Sequence, residues 1–296
     1  MPSHGLFKRV LTLLYFLCHN YFLLCGRTKK FHICTMIIVD THCHLYSEEF
    51  TADIDQIIIT AKINSVTKFY LPSIDSSSLQ AMLALEARYP NECFAMMGLH
   101  PCYVKENYKT ELQIVTNQLS SRAFVAIGEI GLDFYWDKTF AAQQQEAFEL
   151  QMQWALDYKL PIVIHTRNAM QETINAVKSF AAKGLTGIFH CFSGSYESAK
   201  QITDMGFMLG IGGVITYKNS GLPEALKNIP NSFFVLETDA PYLTPVPFRG
   251  KRNESSYLTY IIEKLADTKQ ISVEEMARIT TENAEKIFSP HKYIGI

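Results

Sequence analysis

From Met36 onward, short apolar runs alternate with longer stretches in which apolar residues recur every three or four positions. The runs lie near 36–41, 67–71, 93–98, 124–130, 161–165, 187–191, 207–212 and 233–238, and their near-continuous apolar character predicts strands buried on both faces. Helical periodicity occupies Asp53 to Asn64, Ser77 to Tyr89, Ala141 to Tyr158, Asn168 to Lys183, Ser195 to Met205, Gly221 to Asn228, Ser255 to Ala266 and Val273 to Ile287. Eight strand and helix units predict an α/β fold, a closed parallel (β/α)8 TIM barrel in a single domain spanning 36–296. A doubly wound open sheet is the alternative, but no Gly-rich phosphate turn follows the first strand.

Polar residues close several of these runs. His42 and His44 follow the first, Glu129 ends the fourth, and His165, His190 and Asp239 end the fifth, sixth and eighth. Alternation along an extended chain turns His42 and His44 to one face and Cys43 to the other. A barrel gathers the C-terminal ends of its strands into one site, so these six side chains are expected to converge there. Imidazole and carboxylate together suit a divalent metal.

Composition narrows the function classes. At 296 residues, 48% hydrophobic and 19% charged, the chain can bury one large core, and it has no repeat, charge block or Ser/Gly-rich linker. A net charge of -2 excludes a strongly basic whole-protein field, so any nucleic-acid contact must be local. The 7 cysteines are odd in number, widely spaced and without a C-x-x-C pair, which points to reduced thiols in a cytoplasmic protein. Cys43, Cys102 and Cys191 each follow a histidine and are read as small packing residues rather than nucleophiles.

Residues 1–35 differ from the rest. Their apolar stretch, Val10 to Cys25, is broken by Cys18-His19-Asn20 and is short for a membrane span, which needs about 20 apolar residues. No clear small-x-small cleavage site follows it. The extension is read as lying outside the fold, with Met36 as the natural start, and export or anchoring is the competing reading.

The motifs "DTHCHL" at 40–45, "GLHP" at 98–101, "GEIGLDFY" at 128–135, "IHTR" at 164–167, "HCFSG" at 190–194, "ETDAPYLTP" at 237–245 and "RGKRNE" at 249–254 occur in this order. Together they make residues 36–289 resemble the TatD family of metal-dependent deoxyribonucleases within the amidohydrolase superfamily. The resemblance implies a hydrolase with two divalent metal ions (Mg, Mn or Zn). His42, His44 and Asp239 would hold one, His165 and His190 the other, and Glu129 would bridge them. It further implies hydrolysis of DNA phosphodiesters, in the manner of a 3′ to 5′ exonuclease acting on single strands, with Asp239 and Glu129 as the catalytic carboxylates. Neither a stable membrane partner nor a defined oligomeric state is implied.

Substrate contacts are expected from His100, Asp133 and Arg249. His100 ends the third strand within reach of a phosphate, with support of a ligand or simple packing as the alternative, and Asp133 orients a ligand histidine or a bound group, or else caps a loop. Arg249 belongs to a basic cluster with Lys251 and Arg252, and a guanidinium grips phosphate by paired hydrogen bonds. Phe134, Tyr135 and Trp136 are candidates for base stacking, with a lid packed on the barrel as the plainer role for Trp136. Two positions depart from the family pattern: Ser255 stands where Pro is usual, offering the next helix a cap, and Trp136 replaces a basic residue. Two other readings stand beside the nuclease, a hydrolase of a small-molecule amide, lactone or phosphoester, and a non-catalytic barrel that binds DNA or a protein. The complete ligand set disfavours the second of these. The Glu at the bridging position, where a lysine would suit an amidohydrolase, and the basic segment at 249–252 disfavour the first.

Overall fold

The structure is a computed structural model that describes residues 36–288. The readings of residues 1–35 therefore lie outside the described residues. Strands β1 (Ile38–Asp40), β2 (Val66–Pro72), β3 (Cys93–Met96), β4 (Ile127–Asp133), β5 (Ile162–Arg167), β6 (Gly187–Phe189), β7 (Met208–Ile211) and β8 (Phe234–Leu236) follow one another with helices between them. The helices are α1 (Ile54–Ile63), α2 (Leu79–Arg88), α3 (Tyr108–Ser121), α4 (Ala141–Tyr158), α5 (Met170–Ala181), α6 (Tyr196–Asp204) and α7 (Leu222–Leu226), with α8 (Leu258–Lys269) and α9 (Val273–Ile287) closing the chain.

All pairings are parallel. β1, β2 and β3 form one run and β4 to β8 another, each in chain order. Backbone hydrogen bonds close both seams: Gly128 N to Met97 O at 3.1 Å joins β3 to β4, and Thr41 N to Leu236 O at 3.0 Å joins β1 to β8. The ring is the expected (β/α)8 barrel.

Its interior is packed rather than hollow. One buried cluster takes Val39, Tyr70, Met96, Val163, Ile188, Met208 and Val235 from their strands, Val125 and Ala126 from just before β4, and Ala284, Ile287 and Phe288 from the last helix and its end. The Phe288 ring stacks on Tyr70 at 4.0 Å, so α9 plugs the barrel at the end away from the polar residues. The opposite strand faces pack on the helices in a second, larger cluster.

The differences from expectation are local. Helix α3 is absent from the periodicity reading, although its buried Tyr108, Leu112, Val115 and Leu119 keep helical spacing; the polar residues between them dilute the signal. β4 runs on to Asp133 rather than stopping at Ile130, and β1 stops at Asp40, short of His42. Ser255 does not cap α8. It opens a short 3-10 turn, is fully buried, and its hydroxyl donates to Asp40 at 2.6 Å. Among the described residues no helix is long and apolar enough to cross a membrane.

Ile188 is buried inside the barrel, whereas Ile59 on α1 is 51% exposed. Ile188→Ala should therefore lower the unfolding free energy by about 2–5 kcal/mol, and Ile59→Ala should change it by no more than about 0.5 kcal/mol. Urea denaturation followed by circular dichroism measures both, and equal losses would contradict this assignment of inside and outside.

Candidate metal centre

The inner-facing residues of the strands predict where the polar side chains emerge. His165 lies two residues past Val163, His190 two past Ile188, and Glu237 and Asp239 two and four past Val235, so the two-residue period carries all four into the mouth. Two strands break the period. His42 and Glu129 lie three residues past Val39 and Ala126, and on β4 the pairing register shifts between Ile127 and Ile130. Beyond β1 the chain stays extended enough that Cys43 is buried with its thiol at 3.7 Å from Tyr70 O, while His42 and His44 turn together to the other side.

Around one oxygen of Glu129 the donors form a compact cage. His42 Nε2 lies 3.3 Å from His44 Nε2, 3.2 Å from Glu129 Oε2 and 3.6 Å from Asp239 Oδ1. His44 Nε2 lies 3.7 Å from Glu129 Oε2 and 3.5 Å from Asp239 Oδ1. The edge of a tetrahedron whose centre is about 2.0–2.1 Å from each corner is about 3.3–3.4 Å, so these four donors fit an ion such as zinc. Glu129 Oε1 faces a different set: His165 Nδ1 at 2.8 Å, His190 Nε2 at 3.0 Å and His100 Nε2 at 3.3 Å. The six side chains expected to converge do so, and His100 joins them.

Burial and mutual charge set the protonation of this cluster. Burial pushes the Glu129 carboxyl up, but His190, His100 and His42 around it more than offset that and hold it well below its ordinary value. Asp239 is lowered in the same way, against burial, by His44, His190 and His42. Burial lowers His42, whose ring stacks on that of His190 at 3.9 Å, and burial also lowers His100. Burial pushes the thiols of Cys43 and Cys191 well up and that of Cys102 to about 12, so none is poised as a thiolate nucleophile.

Outer partners orient the inner groups. Asp133 Oδ2 lies 2.9 Å from His165 Nε2, and its other oxygen accepts from the backbone N–H groups of Tyr135 at 2.9 Å and Trp136 at 3.2 Å. Asp133 thus has a histidine and a loop as its partners. Glu237, fully buried, lies 3.3 Å from His190 Nδ1 and accepts from the Cys191 N–H. Tyr46 Oη lies 2.9 Å from His44 Nδ1. Asp40, raised by burial to about 7, accepts from the Thr238 N–H at 3.0 Å and the Thr238 hydroxyl at 2.7 Å, and so ties the segment carrying Asp239 to β1. Glu237, Tyr46 and Asp40 were not singled out from the sequence. Glu237 precedes Asp239 by two residues and Tyr46 follows His44 by two, so the same-face spacing that picks out His42 and His44 would have found both.

Arg249 is exposed, and its guanidinium lies over the Tyr217 ring at 3.8 Å. Arg252 is committed elsewhere: it forms a two-pronged pair with Asp53 at 2.9 and 2.6 Å, so the basic cluster at 249–252 does not act as one patch. Phe134 packs against the core, leaving Tyr135 and Trp136 on the surface.

A family model described as TatD related DNase matches residues 39–289. The chain belongs to the TatD family. Among its relatives, the uncharacterized metal-dependent hydrolase YabD of Bacillus subtilis is 38% identical over 253 residues, covering 85% of this chain and 99% of the relative. The uncharacterized metal-dependent hydrolase YcfH of Escherichia coli is 30% identical, covering 86% and 96%. The crystal structure of YjjV, a TatD homologue from Escherichia coli, superposes with a TM-score of 0.80 at 28% identity, covering 85% of this chain and 97% of that one. This TatD-family chain is accordingly a metal-dependent hydrolase, and the donor cage around Glu129 fits that chemistry.

Gly210 on β7 leaves room for Glu237, since a Cβ there would stand 2.1 Å from Glu237 Oε2. Gly210→Ala should displace that carboxylate from His190 and lower metal affinity about 10- to 100-fold, and Glu237→Gln should do the same. Competition against a metal-indicator dye measures both. Wild-type affinity in the two variants would remove Glu237 from the support of the centre.

Proposed function

We propose that this chain is a DNA phosphodiesterase, a 3′ to 5′ exodeoxyribonuclease acting on single strands in the cytoplasm, in which His42, His44, Asp239, His165, His190 and Glu129 would hold two divalent ions. The observation that carries the proposal is the division of one buried carboxylate between two donor sets, Oε2 toward His42 and His44 and Oε1 toward His165 and His190. When bound, such ions lower the pKa of water and neutralise charge on a phosphodiester.

The protein groups supply the rest. Asp239, held ionised by the surrounding imidazoles and partly open to solvent, is placed to accept the proton of an attacking water. His100 is assigned a different task from its neighbours. Its Nδ1 accepts from the Cys102 N–H at 3.0 Å, so in the neutral ring that burial favours, the proton sits on Nε2 and points into the site. A donor of that kind suits a phosphate oxygen better than a metal. Asp133 acts through His165 by fixing its ring, a positioning role rather than a substrate contact. Arg249, flat against Tyr217, keeps its N–H edge free for a phosphate flanking the scissile bond.

Two outcomes test this reading. Glu129→Ala should abolish metal retention after desalting, read by elemental analysis, together with turnover, while Cys43→Ser should leave both near wild type because its thiol faces Tyr70. Comparable losses in the Cys43 variant would contradict the geometry. Arg249→Ala should slow hydrolysis of single-stranded DNA roughly tenfold to hundredfold, the equivalent of about 1.5–3 kcal/mol, and leave bis(p-nitrophenyl) phosphate almost untouched. Brisk hydrolysis of a lactone or amide by a metal-loaded protein inert toward DNA would replace the proposal with the small-molecule reading.

A further inference from the structure

β4 and β5 end side by side, with Asp133 paired to Arg167 and the Phe134 N–H donating to Arg167 O at 2.9 Å. This register sets the first residues beyond β4 against the last side chain of β5. The Arg167 guanidinium lies 3.9 Å from the centre of the Tyr135 ring and 5.1 Å from that of Trp136. Those two rings meet edge to face at 4.8 Å and 85°. Tyr135 is 51% and Trp136 68% exposed, so this is a surface cluster of planar groups rather than part of the core.

Three features separate the stack from chance surface aromatics. It is anchored from beneath, because Phe134 packs into the core and Asp133 accepts from the backbone N–H groups of both exposed residues. It adjoins the centre, because the other oxygen of that same Asp133 meets His165, two residues before Arg167. It also carries the right charge, since Arg167 is a cation on the same strand as His165 and two residues beyond it.

We infer that Tyr135, Trp136 and Arg167 form a nucleobase-stacking platform beside the His165 half of the metal centre. An aromatic face accepts any base, and a guanidinium plane stacks likewise while attracting the adjoining phosphate. Grip on the strand then comes from bases as well as from phosphates, without sequence preference. The inference rests on the reading of the centre as one for nucleic acid, and it names what holds the strand there.

The test is a fluorescence titration of the full, metal-loaded chain with a cleavage-resistant phosphorothioate tetrathymidylate and with an abasic tetramer of the same charge. The protein has 2 tryptophans, and Trp154 is partly buried against the core, so Trp154→Phe isolates the emission of Trp136. Tetrathymidylate should bind about tenfold or more tightly than the abasic tetramer and quench Trp136. Trp136→Ala and Arg167→Ala, read by the anisotropy of dye-labelled tetramers because a protein without Trp136 has no emission to follow there, should lose most of that preference, and Trp136→Phe should keep part of it. Arg167→Lys, which retains charge without the plane, should hold the abasic tetramer as before and lose base preference. Equal affinity of the wild type for the two tetramers, or alanine variants that retain the preference, would overturn the platform. Base-dependent binding in a protein that cuts no DNA sinks the nuclease reading alone, and DNA cleavage without base-dependent binding sinks the platform alone.

Discussion

A carboxylate removed from water is stable as an anion only where opposite charge or hydrogen-bond donors replace its lost solvation, and Glu129 finds both in a ring of imidazoles. Its position follows from the backbone. The register shift in β4 turns Glu129 inward out of phase with Ala126, and its N–H donates to Ser73 O at 3.1 Å, next to the place where Ser73 N bonds Met96 O. Three neighbouring strands thus fix one side chain. Both oxygens are then spoken for by five histidines that arrive from four other places on the chain, and the mouth of the barrel is organised around that anion.

The supporting groups show what this concentration of polarity costs. Among the described residues, His42 Nδ1 and Glu237 Oε2 are buried without a hydrogen-bond partner, each a loss of about 1–3 kcal/mol. Asp239 and Cys191 both adopt the left-handed backbone conformation, at φ 58° and 46°, which disfavours residues other than glycine. A core optimised for stability would hold none of these. They persist because the surrounding ring of strands, plugged below by α9, over-determines the geometry, and ions in the cage would add the attraction that the bare imidazoles lack.

Much of this was legible in the chain. The barrel could be read because strands buried on both faces are near-continuously apolar, and the six donors because each stands where such a run meets polar residues. Positions set by a break in periodicity were less visible. Nothing in the letters around Gly128 announces a register shift, so Glu129 appeared to end its strand when it lies within it. Pairings between distant segments were hidden as well: Arg252 looks like a phosphate ligand until Asp53 is seen opposite, and Ser255 looks like a helix cap until Asp40 is seen beneath it. Glu237 was missed for a different reason. The alternation rule that found His42 and His44 applies equally to Glu237 and Asp239, and was not carried through.

Under the proposed nuclease reading, the rim also bears on how a chain of net charge -2 would hold a polyanion. Long-range attraction is weak for such a protein, and with Arg252 paired to Asp53 the local basic groups are fewer than the sequence implies. Two guanidinium groups are laid on tyrosine rings, Arg249 on Tyr217 and Arg167 on Tyr135. Stacking restrains each guanidinium without neutralising it, so less conformational freedom is lost when a phosphate is gripped. On that reading, affinity would be assembled from a few pre-set contacts close to the Glu129 cage rather than from a field over the surface, which would favour a short strand end over a long duplex.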